Sequence, residues 1–196
     1  MKTTRHPTRR LWGTVLALVG PLALMIGLVA APTARADGPT NSAQTSRFEV
    51  DFLTGMVDHH HMAVMMAESC QEKAVHAELR AMCESIATTQ SAEIEQMQTW
   101  LMDWYGVDHH PMMTGGGMKS MMRLDRLAGE RYEVAFIKMM IRHHKAAIRE
   151  AGRCLDRAEH GQLLALCASI RQDQRAEVAT LQQWLSSWYH RALGRH

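Results

Sequence analysis

The sequence is poor in the residues that build most cores and most active sites. Only three phenylalanines occur in 196 residues, so the apolar interior must be made from something else. The five prolines (Pro7, Pro21, Pro32, Pro39, Pro111) leave residues 47–106 and 131–190 free of helix breakers. No glycine-rich phosphate loop and no nucleophile–base set is visible, so nothing marks a nucleotide-binding or hydrolytic enzyme. There is no Cys-x-x-Cys-His for covalent haem. There is no Glu-x-x-His, the motif used twice by dimetal carboxylate bundles.

Basic charge is no longer in excess once the first thirty-six residues are set aside. Residues 1–36 open with Lys2, Arg5, Arg9 and Arg10. They continue through an apolar run over residues 11–31 and end in Ala34-Arg35-Ala36. That order is a secretory signal peptide. The run is also long enough to serve as an uncleaved membrane anchor, and both readings put the rest of the chain outside the cytoplasm. The segment holds five of the 22 Lys and Arg residues and none of the 20 acidic ones. The remainder therefore carries 17 basic and 20 acidic residues, a formal net charge of −3. That excludes a nucleic-acid partner recognised through a basic face. Contact with a membrane is expected only if the leader is retained.

Methionine and histidine are in excess. Of sixteen methionines only Met1 and Met25 lie in the leader, and eleven of twelve histidines lie beyond it. Methionine fills cores, so the excess alone proves little; placement decides. The chain repeats itself at an offset of 84 residues without a gap. Phe52 matches Phe136, Met56 matches Met140, and His59-His60 match His143-His144. Cys70, His76 and Cys83 match Cys154, His160 and Cys167, and Trp100, Trp104 and Tyr105 match Trp184, Trp188 and Tyr189. One structural unit has been duplicated. The units are 47–106 and 131–190, joined by a Met/His/Gly-rich linker over 107–130 and preceded by a flexible arm over 37–46.

Each unit reads as a helical hairpin. Phe52, Met56, His59, His60, Ala63, Met66 and Ala67 recur at spacings of three and four, and so do Cys83, Ile86, Gln90, Ile94, Met97 and Leu101. Two hairpins give four helices, none able to bury its stripe alone. The expected fold is all-α, an antiparallel four-helix bundle of two tandem hairpins. Cys70 and Cys83 flank the turn of the first hairpin, and Cys154 and Cys167 that of the second. In an oxidising compartment they are expected to form one disulfide within each hairpin. The spacing is too wide for a Cys-x-x-Cys metal pair.

His59 and His60 lie roughly 60° and 40° to either side of Met56 on a helical wheel. Both border the buried stripe, as do His143 and His144. Burying imidazoles without partners is costly. Gln90, Glu93, Gln174 and Glu177 on the facing helices are the residues expected to orient them, with or without a bound metal. Thioether sulfur with imidazole selects copper(I), or silver, over harder ions. In the linker, His109, His110, Met112, Met113, Met118, Met121 and Met122 surround Gly115-Gly116-Gly117. That composition fits flexible donors closing on a soft ion, or a crossover that packs its methionines on the bundle. The candidate metal ligands are these seven with Met56, His59, His60, Met66, Met140, His143 and His144.

The pattern Phe52-(x)3-Met56-(x)2-His59-His60-(x)2-Ala63-(x)2-Met66-Ala67, with Ile86-(x)3-Gln90-(x)2-Glu93-Ile94-(x)2-Met97-(x)2-Trp100-Leu101, resembles the domain of unknown function 305 family. The second unit resembles it through Phe136, Met140, His143, His144, Ala147, Gln174, Glu177, Trp184 and Leu185. The resemblance implies a ferritin-like four-helix bundle, often exported, and a role in periplasmic copper binding and resistance for some members. Glu150 stands in place of Met66 and Leu181 in place of Met97 in the second unit, which also carries Lys145, Arg149 and Arg171. The second hairpin is therefore expected to bind metal more weakly or to act mainly as scaffold. The expected function is copper(I) sequestration or delivery without catalysis, with a copper exporter or another metallochaperone as partner. A ferritin-like dimetal oxidoreductase using Glu93 and Glu177, and a helical scaffold without metal, stay open as alternatives.

Overall fold

The computed structural model describes residues 39–189. The leader expected over residues 1–36 lies outside the described residues, as does the last residue of the second unit at 190. Five helices are present and no strand is found among the described residues. They are α1 (Pro39–Lys73), α2 (Ala77–Tyr105), α3 (Gly115–Asp125), α4 (Gly129–Arg157) and α5 (Gly161–Trp188). None of them is long and apolar enough to cross a membrane.

Two boundaries differ from the sequence reading. The arm expected over 37–46 is helical from Pro39 onward, as the start of α1. Proline tolerates the first turn of a helix because its missing N–H has no partner there. Farther along, Thr45 donates to Glu159 Oε1 at 2.9 Å, which ties α1 to the loop after α4. The linker over 107–130 is not uniformly pliable: its three glycines open α3, behind a Thr114 cap whose hydroxyl accepts from Gly117 N.

The α1–α2 and α4–α5 pairs are the two hairpins, and they meet through α1 and α4. Glu49 near the start of α1 reaches residues 159–160 past the end of α4. Glu133 near the start of α4 reaches residues 75–76 past the end of α1. The two helices therefore run antiparallel. Cys70 is bonded to Cys83 and Cys154 to Cys167, each tie closing its own hairpin turn. Such a loop removes about 3 kcal/mol of unfolded-chain entropy by the loop-closure argument.

The core is in two parts. One cluster gathers Met66, Leu79, Ile86, Phe136, Met140 and Leu181, and the other Phe52, Leu53, Ile94, Leu101, Leu163 and Ile170. Between them, at the middle of all four long helices, lies a polar layer. His60 and His144 are fully buried there, with Gln90 and Gln174 nearly so.

Candidate metal centre

The polar layer is built by the duplication. His59 of α1 and His143 of α4 meet ring against ring, with centroids 3.6 Å apart and planes tilted by 33°. Flanking this pair, His60 Nε2 donates to Glu93 Oε2 at 2.9 Å. Its repeat partner His144 Nε2 lies 2.7 Å from Glu177 Oε2, without the alignment of a hydrogen bond. Both expected carboxylates thus meet a histidine, whereas the buried Oε1 atoms of Gln90 and Gln174 meet no donor.

Satisfied core histidines would look different. Among the described residues, every buried side-chain N or O atom without a hydrogen-bond partner belongs to this layer. They lie on His59, His60, Gln90, His143, His144, Gln174 and Glu177, and His143 lacks a partner at both ring nitrogens. Leaving a buried polar group unpartnered costs about 1–3 kcal/mol. Their concentration at the centre of the fold marks this layer as the candidate binding site. Burial above all, then the neighbouring rings of His60 and His144, lowers the His59 pKa to about 3. Burial and the rings of His59, His144 and His60 likewise hold His143 well below the usual histidine value. Both rings are neutral at physiological pH, the state in which imidazole ligates a metal.

The pair opens on one side. His59 and His143 line a cleft of about 340 Å³ with Gly55, Asp58, Met62, Met112, Met113 and Thr114. Gly55, Asp58, His59 and Met62 share a face of α1 by their spacing of three and four. The linker brings the other wall. Gly106, at φ 63°, ends α2 with its N–H and that of Val107 on the last carbonyls of the helix. The chain then folds back over α1. Gln98 Nε2 donates to His109 O at 2.8 Å, and Asp58 Oδ1 accepts from His109 Nε2 at 2.9 Å and from Met112 N at 2.7 Å. The glycines have a steric role at one point. A side chain at Gly117 would place its Cβ 3.1 Å from Met113 Cγ and 3.3 Å from Met62 Sδ. Glycine here lets α3 approach the cleft without displacing those two side chains; a Cβ would make them give by a few tenths of an ångström.

The candidate ligands divide accordingly. His59, His143, Met112 and Met113 converge on the cleft. His60 and His144 sit just inside, each against its glutamate. Met56, Met66 and Met140 do not line the cleft; they are buried in the two apolar clusters, where they fill space that phenylalanine would otherwise take. His109 spends one nitrogen on Asp58, and His110 is largely exposed, 3.7 Å from Asp108. Met118 and Met122 are exposed on α3, while Met121 packs on the core. Among the described residues no group of three or more His, Cys, Asp or Glu side chains is arranged to hold a metal ion. Met62 and Asp58 escaped the sequence reading because the repeat has Ala146 and Arg142 at their positions. Their spacing to His59 along one helix face was the available signal.

A second pair of sites was also missed. Fully buried Glu49 accepts from the backbone N–H groups of Glu159 and His160 with one oxygen. Its other oxygen meets His160 Nδ1 at 2.6 Å and the Tyr105 hydroxyl. Glu133 does the same with Val75 N, His76 N, His76 Nδ1 and the Tyr189 hydroxyl. Trp104 stacks on His160 at 4.0 Å and Trp188 on His76 at 3.9 Å. Each carboxylate lies at the N-terminus of the other hairpin's second helix, where helix dipole and free N–H groups favour an anion.

A family model described as "Domain of unknown function (DUF305)" matches residues 49–185. Among solved structures, the chain is similar to CopM in its Cu(II)-bound form, at 30% identity and a TM-score of 0.66, and in its Cu(I)-bound form, at 28% and 0.65. In both comparisons the match covers 72% of this chain and 97% of the other. CopM has also been solved Ag-bound and in the apo form. A DUF305 protein from Streptomyces coelicolor, described as a candidate secreted protein, is 26% identical with a TM-score of 0.63, over 71% of this chain and 91% of that one. No curated protein matches.

Proposed function

The chain belongs to the DUF305 family, and from that premise we propose that it is an exported, non-enzymatic copper-binding protein that takes copper(I), with silver as a competing ion, for sequestration or delivery. We read its four long helices as a four-helix bundle of the ferritin-like kind. The observation that carries the proposal is the polar layer: neutral imidazoles of His59, unpartnered at Nδ1, and of His143, unpartnered at both nitrogens, beside Met62, Met112 and Met113 in one cleft. Sulfur and neutral imidazole are soft and borderline donors, which favour copper(I) and silver over magnesium, manganese or calcium. The similarity to CopM, solved with copper and silver, supports the same ion class. Export follows from the signal-like residues 1–36 and from the two disulfides, which an oxidising compartment maintains.

Titration with copper(I) against a chromogenic competing chelator tests the reading. Binding at least a hundredfold tighter than that of a variant with His59→Gln and His143→Gln is the expected result. Equal binding by both proteins refutes it. A dimetal oxidoreductase is the second reading, favoured by the His60–Glu93 and His144–Glu177 contacts. It requires that purified protein retain iron or manganese and show an O₂-dependent absorption band.

A further inference from the structure

The two flanks of the His59–His143 pair have diverged since the duplication. On the first unit the positions around the pair are Gly55, Asp58 and Met62; the matching residues of the second unit are Met139, Arg142 and Ala146. Gly55 leaves open space where its counterpart carries a long side chain. Asp58 offers a carboxylate where its counterpart is a guanidinium, and Met62 a sulfur where its counterpart has none. The second flank keeps one sulfur, Met139, but beside the cationic Arg142; a cation and residues 109–113 are therefore both directed to the first unit's flank. The linker segment that supplies Met112 and Met113 is short and pinned. Val107 closes on Leu101 O at one end, Thr114 caps α3 at the other, and Gln98 and Asp58 hold the middle.

From this geometry we infer that Asp58 is a positioning residue, a clasp that fastens residues 109–113 as a strap across the cleft and so brings Met112 and Met113 to the paired imidazoles. The inference rests on the copper reading for its purpose, and on the two hydrogen bonds accepted by Asp58 Oδ1 for its mechanism. Asp58 is partly exposed and His109 largely buried, so the clasp sits at the rim where the strap would lift. Opening it releases the backbone of Met112 and the ring of His109 together, because one oxygen holds both. The strap then sets how fast an ion enters and leaves.

The experiment uses the full mature chain with Asp58→Ala, Asp58→Asn and, from the other side of the strap, Gln98→Leu. Two readouts are taken: copper(I) affinity and release by chelator competition, and hydrogen exchange of the Met112 amide in the metal-free protein. Asparagine keeps an acceptor oxygen and loses the charge, so it separates clasp from simple attraction of a cation. The expected result is about tenfold weaker copper(I) binding with faster release for Asp58→Ala and Gln98→Leu, the loss of roughly one hydrogen bond's worth of order. Exchange at Met112 should be at least about tenfold faster, and Asp58→Asn should stay within about threefold of the parent. Wild-type exchange at Met112 in Asp58→Ala overturns the clasp, whether or not the protein binds copper. Asparagine as damaging as alanine also overturns it, because charge alone would then explain the loss. A parent protein that binds no copper(I) while its Met112 amide is protected by Asp58 refutes the copper reading and leaves the clasp standing.

Discussion

Replacing Glu133 by glutamine should separate the two hairpins at one end, and the cost can be worked from the contacts. The carboxylate is fully buried and accepts four hydrogen bonds: from Val75 N at 2.6 Å, His76 N at 2.8 Å, His76 Nδ1 at 2.7 Å and the Tyr189 hydroxyl. An amide can keep the two backbone donors with its oxygen, but its NH₂ would then face the histidine N–H and the tyrosine O–H. Two charge-assisted bonds, each worth about 1.5–3 kcal/mol, are lost or inverted, and the charge at the α2 N-terminus goes with them. The expected destabilisation is about 3–5 kcal/mol. With a urea slope of about 2 kcal/mol/M, the unfolding midpoint should fall by about 1.5–2.5 M. Glu49 sits in the matching site at the other end of the α1–α4 pair, roughly 35 Å away by helix rise. Glu49→Gln should cost a similar amount, and the double variant should show additive losses. Denaturant unfolding of the disulfide-intact proteins by circular dichroism measures all three. A loss below about 1 kcal/mol for both single variants would refute the idea that these carboxylates hold the hairpins together.

Acid should soften the protein in two stages. His59 and His143 are held neutral when folded, so their contribution is complete above pH 6.5 and is lost as pH falls from 6.5 toward about 3 for His59. Burial pushes Glu49 and Glu133 up, but hydrogen bonds from tyrosine, backbone and histidine outweigh it and leave both lowered. Their contribution is present above the ordinary carboxylate value of 4.5 and lost below it. Unfolding followed against pH should therefore begin to shift before carboxylates titrate, and His59→Gln with His143→Gln should remove only the earlier stage. Met62→Leu, nearly conserving volume, should change stability by less than about 1.5 kcal/mol while weakening copper(I) about tenfold. The same change at Met66 or Met140, both buried in the apolar core, should leave copper(I) affinity within about twofold. Reducing the two disulfides should lower stability by about 3 kcal/mol each, visible as a lower urea midpoint in dithiothreitol.

The repeat and its helical period carried the fold, because an 84-residue offset without gaps preserves every face of every helix. The all-helical architecture, the hairpin turns and the cysteine pairing were all legible from it. What period could not supply was which stripe residue meets which. Met56, Met66 and Met140 share a face with the histidines, so wheel position alone gave them the same standing. Only packing of the helices shows that a displacement of one or two turns moves a methionine from the polar layer into an apolar cluster. Glu49 and Glu133 were missed for the opposite reason. A glutamate on a helix is ordinarily solvated, and its partners here lie on the other hairpin's loop more than fifty residues away. Gly115-Gly116-Gly117 read as flexibility, yet one of the three sits in tight contact with Met62 and Met113.

The duplication also explains how a symmetric scaffold can carry an asymmetric site. A two-fold pair of imidazoles by itself offers an ion the same donors from both sides, and two like flanks would compete for one strap. Substitution has removed that ambiguity. Arg142 puts positive charge where Asp58 stands in the first unit, Ala146 stands where Met62 does, and the one sulfur left on that flank, Met139, lies beside Arg142. Residues 109–113 dock where a carboxylate receives their backbone, so Met112 and Met113 arrive on the same side as the Met62 sulfur. The stabilising features were left alone: the disulfides, the buried glutamates with their tyrosines and histidines, and the Trp–His stacks are matched in both units. Symmetry has been kept where it holds the hairpins together and lost where an ion is to be received. That distribution is hard to reconcile with a scaffold whose histidines merely fill a core. Such a scaffold would have no reason to vary one flank of a buried pair while preserving both ends of the bundle.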